Sequence, residues 1–459
     1  MLVLALLVAA APSTDAYLEQ SRARWEGLSR QLWEYAETGL HEDKSAAAIE
    51  ELLTKEGFKV DRDVAGMPTA FVATAGSGSP VVAIMAEYDA LPGLSQKPGE
   101  AKKDPEKEGA PGHGCGHNLL GTAAVAAAVA ANHARIDQKL PGTIQIFGTP
   151  AEELLLGKVF MLKAGAFDKT DVVLSWHPES ANQVVTRPRL ALTATEVEFF
   201  GKTAHAAASP WLGRSALDAM ELFDLAMALM REHIQPTARI HRVIKDGGKV
   251  PNIIPDYAKI QTWLRDQTGA AVEDLLARMR KAADGAALAT ETRAKVTLLA
   301  STRDPLNNQV LGKVVQKEME RVGPPRFDEK DQAFAKALQK EVGVEQSGLA
   351  TDVVPYGPNH GGTASSDLGE VSAAVPLVEM NIVARPIGTA AHHWGQTACA
   401  VHPLGLKGMA VASKVLAASA VDFLQNPKLD ADAKAELTRS TKGKPYQSPL
   451  AMDAKPAVY

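Results

Sequence analysis

Apolar runs that end in acidic or histidine residues organise the first half of the chain. One such run precedes Glu87, a second precedes Glu152 and Glu153, and a third precedes His177. Continuous apolar strands are typical of a parallel sheet that is covered on both faces. In open α/β sheets, ligands bind beyond the carboxyl ends of the strands. The pattern therefore predicts an α/β domain whose site lies at one sheet edge. The predicted strands are 80–86, 143–149 and 171–176.

A different pattern begins near residue 190. Apolar and polar positions alternate over 192–200, as in a half-exposed antiparallel strand. The predicted order from there is strand, helix, strand, strand, helix, strand, which is the ferredoxin-like order. We therefore predict an inserted α+β domain at 190–304. The predicted elements are 192–200, 213–233, 238–245, 258–265, 271–288 and 294–299.

The first domain is predicted to surround this insertion, with parts at 17–189 and 305–459. Helical spacing predicts helices at both ends of the chain, and the proline-containing segment that ends the polar tail after residue 426 is expected to be loosely held. The predicted fold class is α/β, with a mixed, mostly parallel sheet flanked by helices and an inserted ferredoxin-like α+β domain. The predicted helices include 17–38, 45–56, 119–131, 306–322, 331–342 and 402–424.

Composition narrows the function classes. The chain has 459 residues, a net charge of -5, 46% hydrophobic residues and 22% charged residues. These values describe a globular protein of more than one domain and give no basic footprint for nucleic acid. We also expect no membrane span.

The first residues form a short apolar run followed by small residues suited to cleavage after Ala16. This run resembles a secretory signal peptide over 1–16, although it lacks a basic start. Export to the periplasm or beyond is the expectation. An ordinary N-terminal helix in a cytoplasmic protein is the alternative.

The glycine-rich stretch 111–118 carries Cys115 and His117. Glycine disfavours a helix or strand interior, so the stretch predicts a tight loop that brings the thiolate and the imidazole together. Both groups are good ligands for a divalent metal. A glycine-rich turn around a buried cysteine is the alternative. The other cysteine is Cys399, and we favour a free thiolate at Cys115 over a disulfide.

Glu152 and Glu153 follow a buried strand and precede three leucines. Acids in such apolar surroundings are costly unless they are paired or bound to cations. One carboxylate can ligate a metal while its neighbour acts as general base on a water molecule. A solvated acidic patch is the alternative.

Single histidines such as His177, and the doublet His392-His393, are ambiguous by themselves. Together with the preceding residues they form a set that has metal chemistry. Five ligands from four segments suit two metal ions with an open position for water. That set is Cys115, His117, Glu153, His177 and one of the two late histidines.

With these motifs in order, the chain resembles the aminoacylase/carboxypeptidase-type dinuclear metallopeptidases. Within that family it is most similar to the amidohydrolase branch of hippurate hydrolases, auxin-conjugate hydrolases and p-aminobenzoyl-glutamate hydrolases. The resemblance runs from about Leu18 to Ser448. The motifs are 86–94 (AEYDALPGL), 112–122 (GHGCGHNLLGT), 150–153 (PAEE), 176–178 (WHP), 204–206 (AHA), 251–255 (PNIIP) and 392–394 (HHW).

The resemblance implies a zinc-exopeptidase-like catalytic domain with a lid and dimerisation domain. It implies two divalent metal ions (zinc, manganese, cobalt or nickel), with Cys115 between them. The other implied ligands are His117, Glu153, His177 and His392, the last in preference to His393.

The remaining implied roles belong to four residues. Glu152 is the general base and Asp89 supports a ligand from behind. His205, in the lid, stabilises the oxyanion in the partner subunit's site, and Asn252 lies near the substrate carboxylate.

The resemblance implies hydrolysis of the amide bond of a small N-acyl or N-aroyl amino acid by a homodimer, or by a pair with a related subunit. A dipeptidase acting on short peptides and a non-catalytic ligand-binding subunit are the alternatives. Two departures stand out, both near the predicted site. Leucines occupy 154–156 where relatives carry glycine and serine, and Glu87 replaces a ligating histidine of other branches.

Overall fold

The computed structural model describes residues 13–186, 188–358, 364–451 and 453–457. Most of the predicted signal peptide, residues 1–12, lies outside the described residues. Ser13 caps the first helix, Thr14–Gln20, so the predicted cleavage point after Ala16 is inside that helix.

Helices and strands are interspersed along the residues that the structure describes. The helices are α1 Thr14–Gln20, α2 Arg22–Tyr35, α3 Asp43–Lys55, α4 His117–Asp137, α5 Gly157–Lys163, α6 Ala216–Met230, α7 Gly269–Ala289, α8 Gln309–Val322, α9 Glu329–Glu341, α10 Leu368–Ala374, α11 Trp394–Cys399, α12 Pro403–Gln425 and α13 Pro427–Ser440. The strands are β1 Lys59–Asp61, β2 Phe71–Ser77, β3 Val81–Ala86, β4 Gly142–Gly148, β5 Val172–Glu179, β6 Gln183–Val184, β7 Ala191–Phe200, β8 Arg239–Asp246, β9 Tyr257–Asp266, β10 Arg293–Thr302 and β11 Leu377–Val383.

The larger sheet has seven strands in the order β1-β2-β4-β3-β5-β11-β6. Its four central strands, β4, β3, β5 and β11, are parallel, whereas the outer pairings are antiparallel. Strands β3 and β11 are buried along almost their whole length, which explains their continuous apolar sequences.

Two long helices cover this sheet. Helices α4 and α12 have the length and hydropathy of membrane spans, but 83% and 72% of their most apolar windows are buried inside the protein. Small side chains on α4 allow the two helices to pack closely against each other. Both are therefore core helices of a folded domain.

The smaller sheet is entirely antiparallel, with the order β10-β7-β9-β8. Helices α6 and α7 pack on its strands and on each other, and the chain order of the six elements is ferredoxin-like. The fold class predicted from the sequence is confirmed. We refer to this unit, residues 191–302, as the lid.

The polar tail after residue 426 begins with a packed helix over residues 427–440. These residues form α13, in which Ala433 is buried. The Glu436 carboxylate accepts hydrogen bonds from the backbone N–H groups of Gln309 and Val310 at 2.8 and 3.1 Å. An acid at the positive N-terminus of α8 stabilises both helices. The sequence offered no local signal for this contact, because its partners are more than a hundred residues apart.

Candidate metal centre and active site

The predicted ligands come from four segments that meet at one end of the parallel strands. Glu152 and Glu153 lie in a short 3₁₀ helix, Glu152–Leu154, immediately beyond β4. His177 lies near the end of β5, and His117 is the first residue of α4. The structure thus brings the predicted ligands to the sheet edge where ligands are expected to bind.

Gly116 shapes the loop between Cys115 and His117. Its φ of 80° is in the left-handed region, and a Cβ here would lie 2.9 Å from the side-chain nitrogen of Gln396. Only glycine fits this backbone without displacing its neighbours. The glycine therefore allows the thiol and the imidazole to face one point.

Two groups of ligand atoms share Cys115. The first contains Cys115, His117 and His177, with Cys115 Sγ 3.3 Å from His177 Nε2. The second contains Cys115, Glu153 and His392, with His392 Nε2 3.1 Å from Glu153 Oε2. Within each group the ligand atoms lie within 4.8 Å of one another. This geometry suits two neighbouring ions with a bridging thiolate.

The backbone distinguishes the two late histidines. His392 has a left-handed φ of 55°, and its N–H donates to the Gly114 carbonyl oxygen at 2.8 Å, which ties it to the cysteine loop. His393 Nδ1 instead accepts the N–H of Gly395 at 3.1 Å and caps α11. The side chain that faces Glu153 is therefore that of His392.

Asp89 holds two of these ligands from behind. Its Oδ1 lies 2.8 Å from His117 Nδ1, and its Oδ2 accepts the backbone N–H of Glu153 at 2.9 Å. The carboxylate is buried. Because Nδ1 of His117 is committed to Asp89, the Nε2 atom faces the centre, as in many metal-binding histidines.

The donor set fits metal ions by two observations. His117 Nε2 and Glu153 Oε1 are buried and have no hydrogen-bond partner among the residues that the structure describes. Buried polar atoms are normally paired, so both atoms require a further partner. Imidazole, carboxylate and thiolate donors are ligands for borderline divalent metals.

Charges are concentrated at this centre. Burial, followed by the nearby Glu87 carboxylate, raises the pKa of Glu152 well above its ordinary range. Hydrogen bonds with Cys115 and then with Glu153 raise the pKa of His392 to about 11. These shifts show a crowded, poorly solvated set of acids and bases, as is common in active sites.

A buried ion-pair network, absent from the sequence-based prediction, adjoins the centre. Lys158 Nζ is fully buried and lies 2.8 Å from Glu87 Oε1 and 2.5 Å from Asp367 Oδ1. A sequence signal existed, since Lys158 is a single charge within the apolar run 154–162. Its acidic partners could not be found, because Asp367 is 209 residues away.

His205 and Asn252 lie together in the lid rather than among the ligand groups. The N–H of Ala206 donates to the Asn252 carbonyl oxygen at 3.1 Å. His205 and Asn252 are both exposed. His205 Nδ1 accepts the backbone N–H groups of Ala207 and Ala208. Within one described chain, neither residue belongs to the clusters around Cys115.

One cavity lies in the lid, and another lies beside the candidate metal ligands. A groove of about 860 Å³ lies wholly in the lid, beside Pro251 and Ile253. A smaller cavity of about 400 Å³ adjoins His392 and is bordered by Lys103 and Glu108 of the preceding surface loop. We associate chemistry with the smaller cavity, because it alone of the two touches a candidate ligand.

Comparison with known proteins identifies the family. The sequence pattern of peptidase family M20/M25/M40 matches residues 83–416. The chain is 34% identical over 470 residues to a p-aminobenzoyl-glutamate hydrolase subunit of Escherichia coli, covering 96% of this chain and 98% of that protein. This chain belongs to peptidase family M20/M25/M40.

Two further relatives add to this assignment. Over 288 residues the chain is 35% identical to the Xaa-Arg dipeptidase of Mus musculus, covering 60% of this chain and 62% of that protein. A crystal structure of a dinuclear metal binding M20 peptidase from Bacillus subtilis has the same fold, with a TM-score of 0.58 and 19% identity, covering 89% of this chain and 99% of that one.

The resemblance inferred from the motifs is thereby confirmed. As a member of this M20 family, the chain is a metal-dependent amidohydrolase. The roles of individual site residues remain predictions.

Proposed function

We propose that this protein hydrolyses the amide bond of an N-acyl or N-aroyl amino acid that resembles p-aminobenzoyl-glutamate. The observation that carries the proposal is the pair of ligand groups that share Cys115, with Glu152 directly beside them. The similarity to the Escherichia coli p-aminobenzoyl-glutamate hydrolase subunit, over nearly the whole of both chains, supports the substrate class.

Two divalent ions are proposed as cofactors. One would be held by Cys115, His117 and His177, and the other by Cys115, Glu153 and His392. When bound, the ions supply Lewis-acid activation of water and of the substrate carbonyl group. Zinc, manganese, cobalt and nickel are all compatible with this donor set.

Glu152 is the proposed general base. Its Oε2 lies 4.0 Å from His117 Nε2, so it can reach a water molecule placed between the ligand groups. Burial raises the pKa of its carboxyl group, which makes the carboxylate a stronger proton acceptor. Glu152 accepts a proton from the attacking water and then passes it to the nitrogen of the leaving amine.

The lid is proposed to complete the site of a second subunit. His205 would stabilise the oxyanion and Asn252 would contact the substrate carboxylate. Both residues are exposed on the lid surface, so they are accessible to a second subunit. An apolar lid face, formed by Leu222, Leu225 and Leu229 of α6, is also exposed. Large exposed apolar patches are typical of interaction surfaces, so we propose a homodimer through the lid.

Three related proposals keep their alternatives. Because the Escherichia coli relative is named as one subunit of its enzyme, pairing with a related subunit is an alternative to the homodimer. Export after removal of residues 1–16 remains a proposal, with a cytoplasmic location as its alternative.

A dipeptidase is the second candidate function, favoured by the similarity to the Xaa-Arg dipeptidase. The complete ligand set argues against a non-catalytic subunit.

The test is product release from a panel of N-acyl amino acids, p-aminobenzoyl-glutamate and Xaa-Arg dipeptides, after reconstitution with each metal. We expect release from the aroyl or acyl amino acids, and elemental analysis of the purified protein to give two ions per chain. Glu152→Gln should retain both ions while turnover falls about 10²–10⁴-fold. Metal loss that parallels the loss of turnover would make Glu152 a ligand, and turnover of dipeptides alone would favour the second candidate.

A further inference from the structure

We propose that Glu87 is a further ligand to the metal ion held by His117, and that Lys158 orients its carboxylate. The inference rests on the proposed metal centre and extends its ligand set. Glu87 follows β3, and its side chain is buried. One oxygen faces the ion-pair network and the other faces the centre.

Distances at His117 carry the first step. Glu87 Oε2 lies 3.4 Å from His117 Nε2. Two ligand atoms on a tetrahedral ion, each with a bond of about 2.1 Å, lie about 3.4 Å apart. His117 Nε2 has no hydrogen-bond partner among the described residues and is buried. Glu87, His117 and Glu152 also form a group of ligand atoms that lie within 4.8 Å of one another, so an ion bound to this nitrogen can reach Glu87 as well.

The alternative role for Glu87 is only to neutralise Lys158. Asp367 already fulfils that role, because its Oδ1 pairs with Lys158 Nζ at 2.5 Å and its Oδ2 accepts the backbone N–H of the same residue at 3.1 Å. Neutralisation of one ammonium does not require two buried carboxylates. The second acid makes chemical sense if its other oxygen has a cation of its own.

Lys158 gives this carboxylate a fixed orientation. Its contact with Glu87 Oε1 at 2.8 Å leaves Oε2 directed at the centre. Lys158 and Asp367 are themselves fully buried, so the network is held in place on its far side. Lys158 is accordingly a positioning residue, and Glu87 is the group that contacts the ion.

The experiment measures metal binding rather than turnover. Metal-free wild-type protein, Glu87→Gln and Glu42→Gln are titrated with Mn²⁺ alone by calorimetry. Glu42 is a matched control, since it is a buried acid whose oxygens bind Thr69 and the backbone of Ala151 instead of facing the ligand atoms. We expect two ions in the wild type and in the control. In Glu87→Gln the affinity for one ion should fall about tenfold or more.

Three outcomes would overturn the inference. Unchanged affinities in Glu87→Gln would exclude a ligand, and an equal loss in Glu42→Gln would assign the effect to general disturbance of the site. Fewer than two ions in the wild type would overturn both this inference and the dinuclear function. The first two outcomes would leave the proposed function intact.

A second variant covers the case in which Glu87→Gln alone does not fold, because Lys158 loses a partner. The double variant Glu87→Gln with Lys158→Met removes one acid and one cation, so the local net charge is unchanged. We expect Mn²⁺ to raise its Tm by less than it raises that of the wild type, as followed by circular dichroism. An equal rise would contradict the inference.

Discussion

The catalytic region and the lid differ in what they bury and what they expose. The catalytic region encloses charges, including Glu87, Asp89 and Lys158, next to the ligand groups. The lid instead exposes apolar side chains on α6, on the edge strand β8 and around Trp211. Buried charges require partners inside the chain, whereas exposed apolar groups favour a partner outside it.

Each region has groups that need a further partner. The catalytic region has buried donor atoms that still need an ion, namely His117 Nε2 and Glu153 Oε1. The lid has a sheet edge and a helix face that still need cover, with Val243 and Ile244 on β8 about half exposed. The first suits a metal ion, and the second is the basis of the proposed dimer.

The largest expected effect comes from the residue that both ligand groups share. Cys115→Ala should lose both ions and reduce turnover by several orders of magnitude, since each proposed site loses a ligand. Elemental analysis and turnover measured on the same preparation check this. Two retained ions together with normal activity would remove the dinuclear centre.

The next effect tests whether the lid acts on another chain. His205→Ala should keep its metal content and reduce turnover about 10²–10³-fold, as expected for loss of one oxyanion donor. Mixing it with Glu152→Gln should restore part of the activity, because a mixed dimer can form one site with both residues intact. The absence of any recovery after confirmed subunit exchange would argue against a role in the partner's site.

A smaller effect should follow from a charge on the lid face. Leu225→Asp is expected to raise the dissociation constant of the dimer about tenfold or more, because it places a carboxylate in an apolar contact. Ile136→Asp is the matched control, since Ile136 is 56% exposed and Leu225 is 54% exposed, but only Leu225 is in the lid. Sedimentation of both variants over a range of concentrations gives the comparison. Equal association would locate the interface elsewhere.

The last effect, on stability rather than on activity or association, concerns a buried acid behind the centre. Burial, with a contribution from Asp89, raises the pKa of Glu42 from 4.5 to about 8. An acid with a raised pKa in the folded state stabilises the fold fully below pH 4.5, and this stability is lost as the pH rises toward 8. Glu42→Gln should therefore gain stability relative to the wild type between pH 5 and pH 9, on the order of 4 kcal/mol. Urea unfolding at both pH values measures it, and a constant difference would show that Glu42 is ionised throughout.

Local sequence was enough for much of the fold and for the ligand types. The apolar strands, the helix after the glycine-rich loop and the ferredoxin-like order were all recognisable from periodicity and turn residues. Residues such as Cys115 and Glu153 stood out because a thiol in a glycine-rich loop and an acid after a buried strand are chemically unusual. The order of motifs also identified the family.

Only the tertiary structure decided which side chains that are distant along the sequence come into contact. The contact of Lys158 with Asp367 and the support of α8 by α13 depend on chain segments that local pattern cannot align. The same holds for the contact of Glu87 with the imidazole of His117, which is 30 residues away along the chain. Sequence periodicity specifies which face of an element is buried, whereas ion pairs and ligand sets are specified by packing between elements.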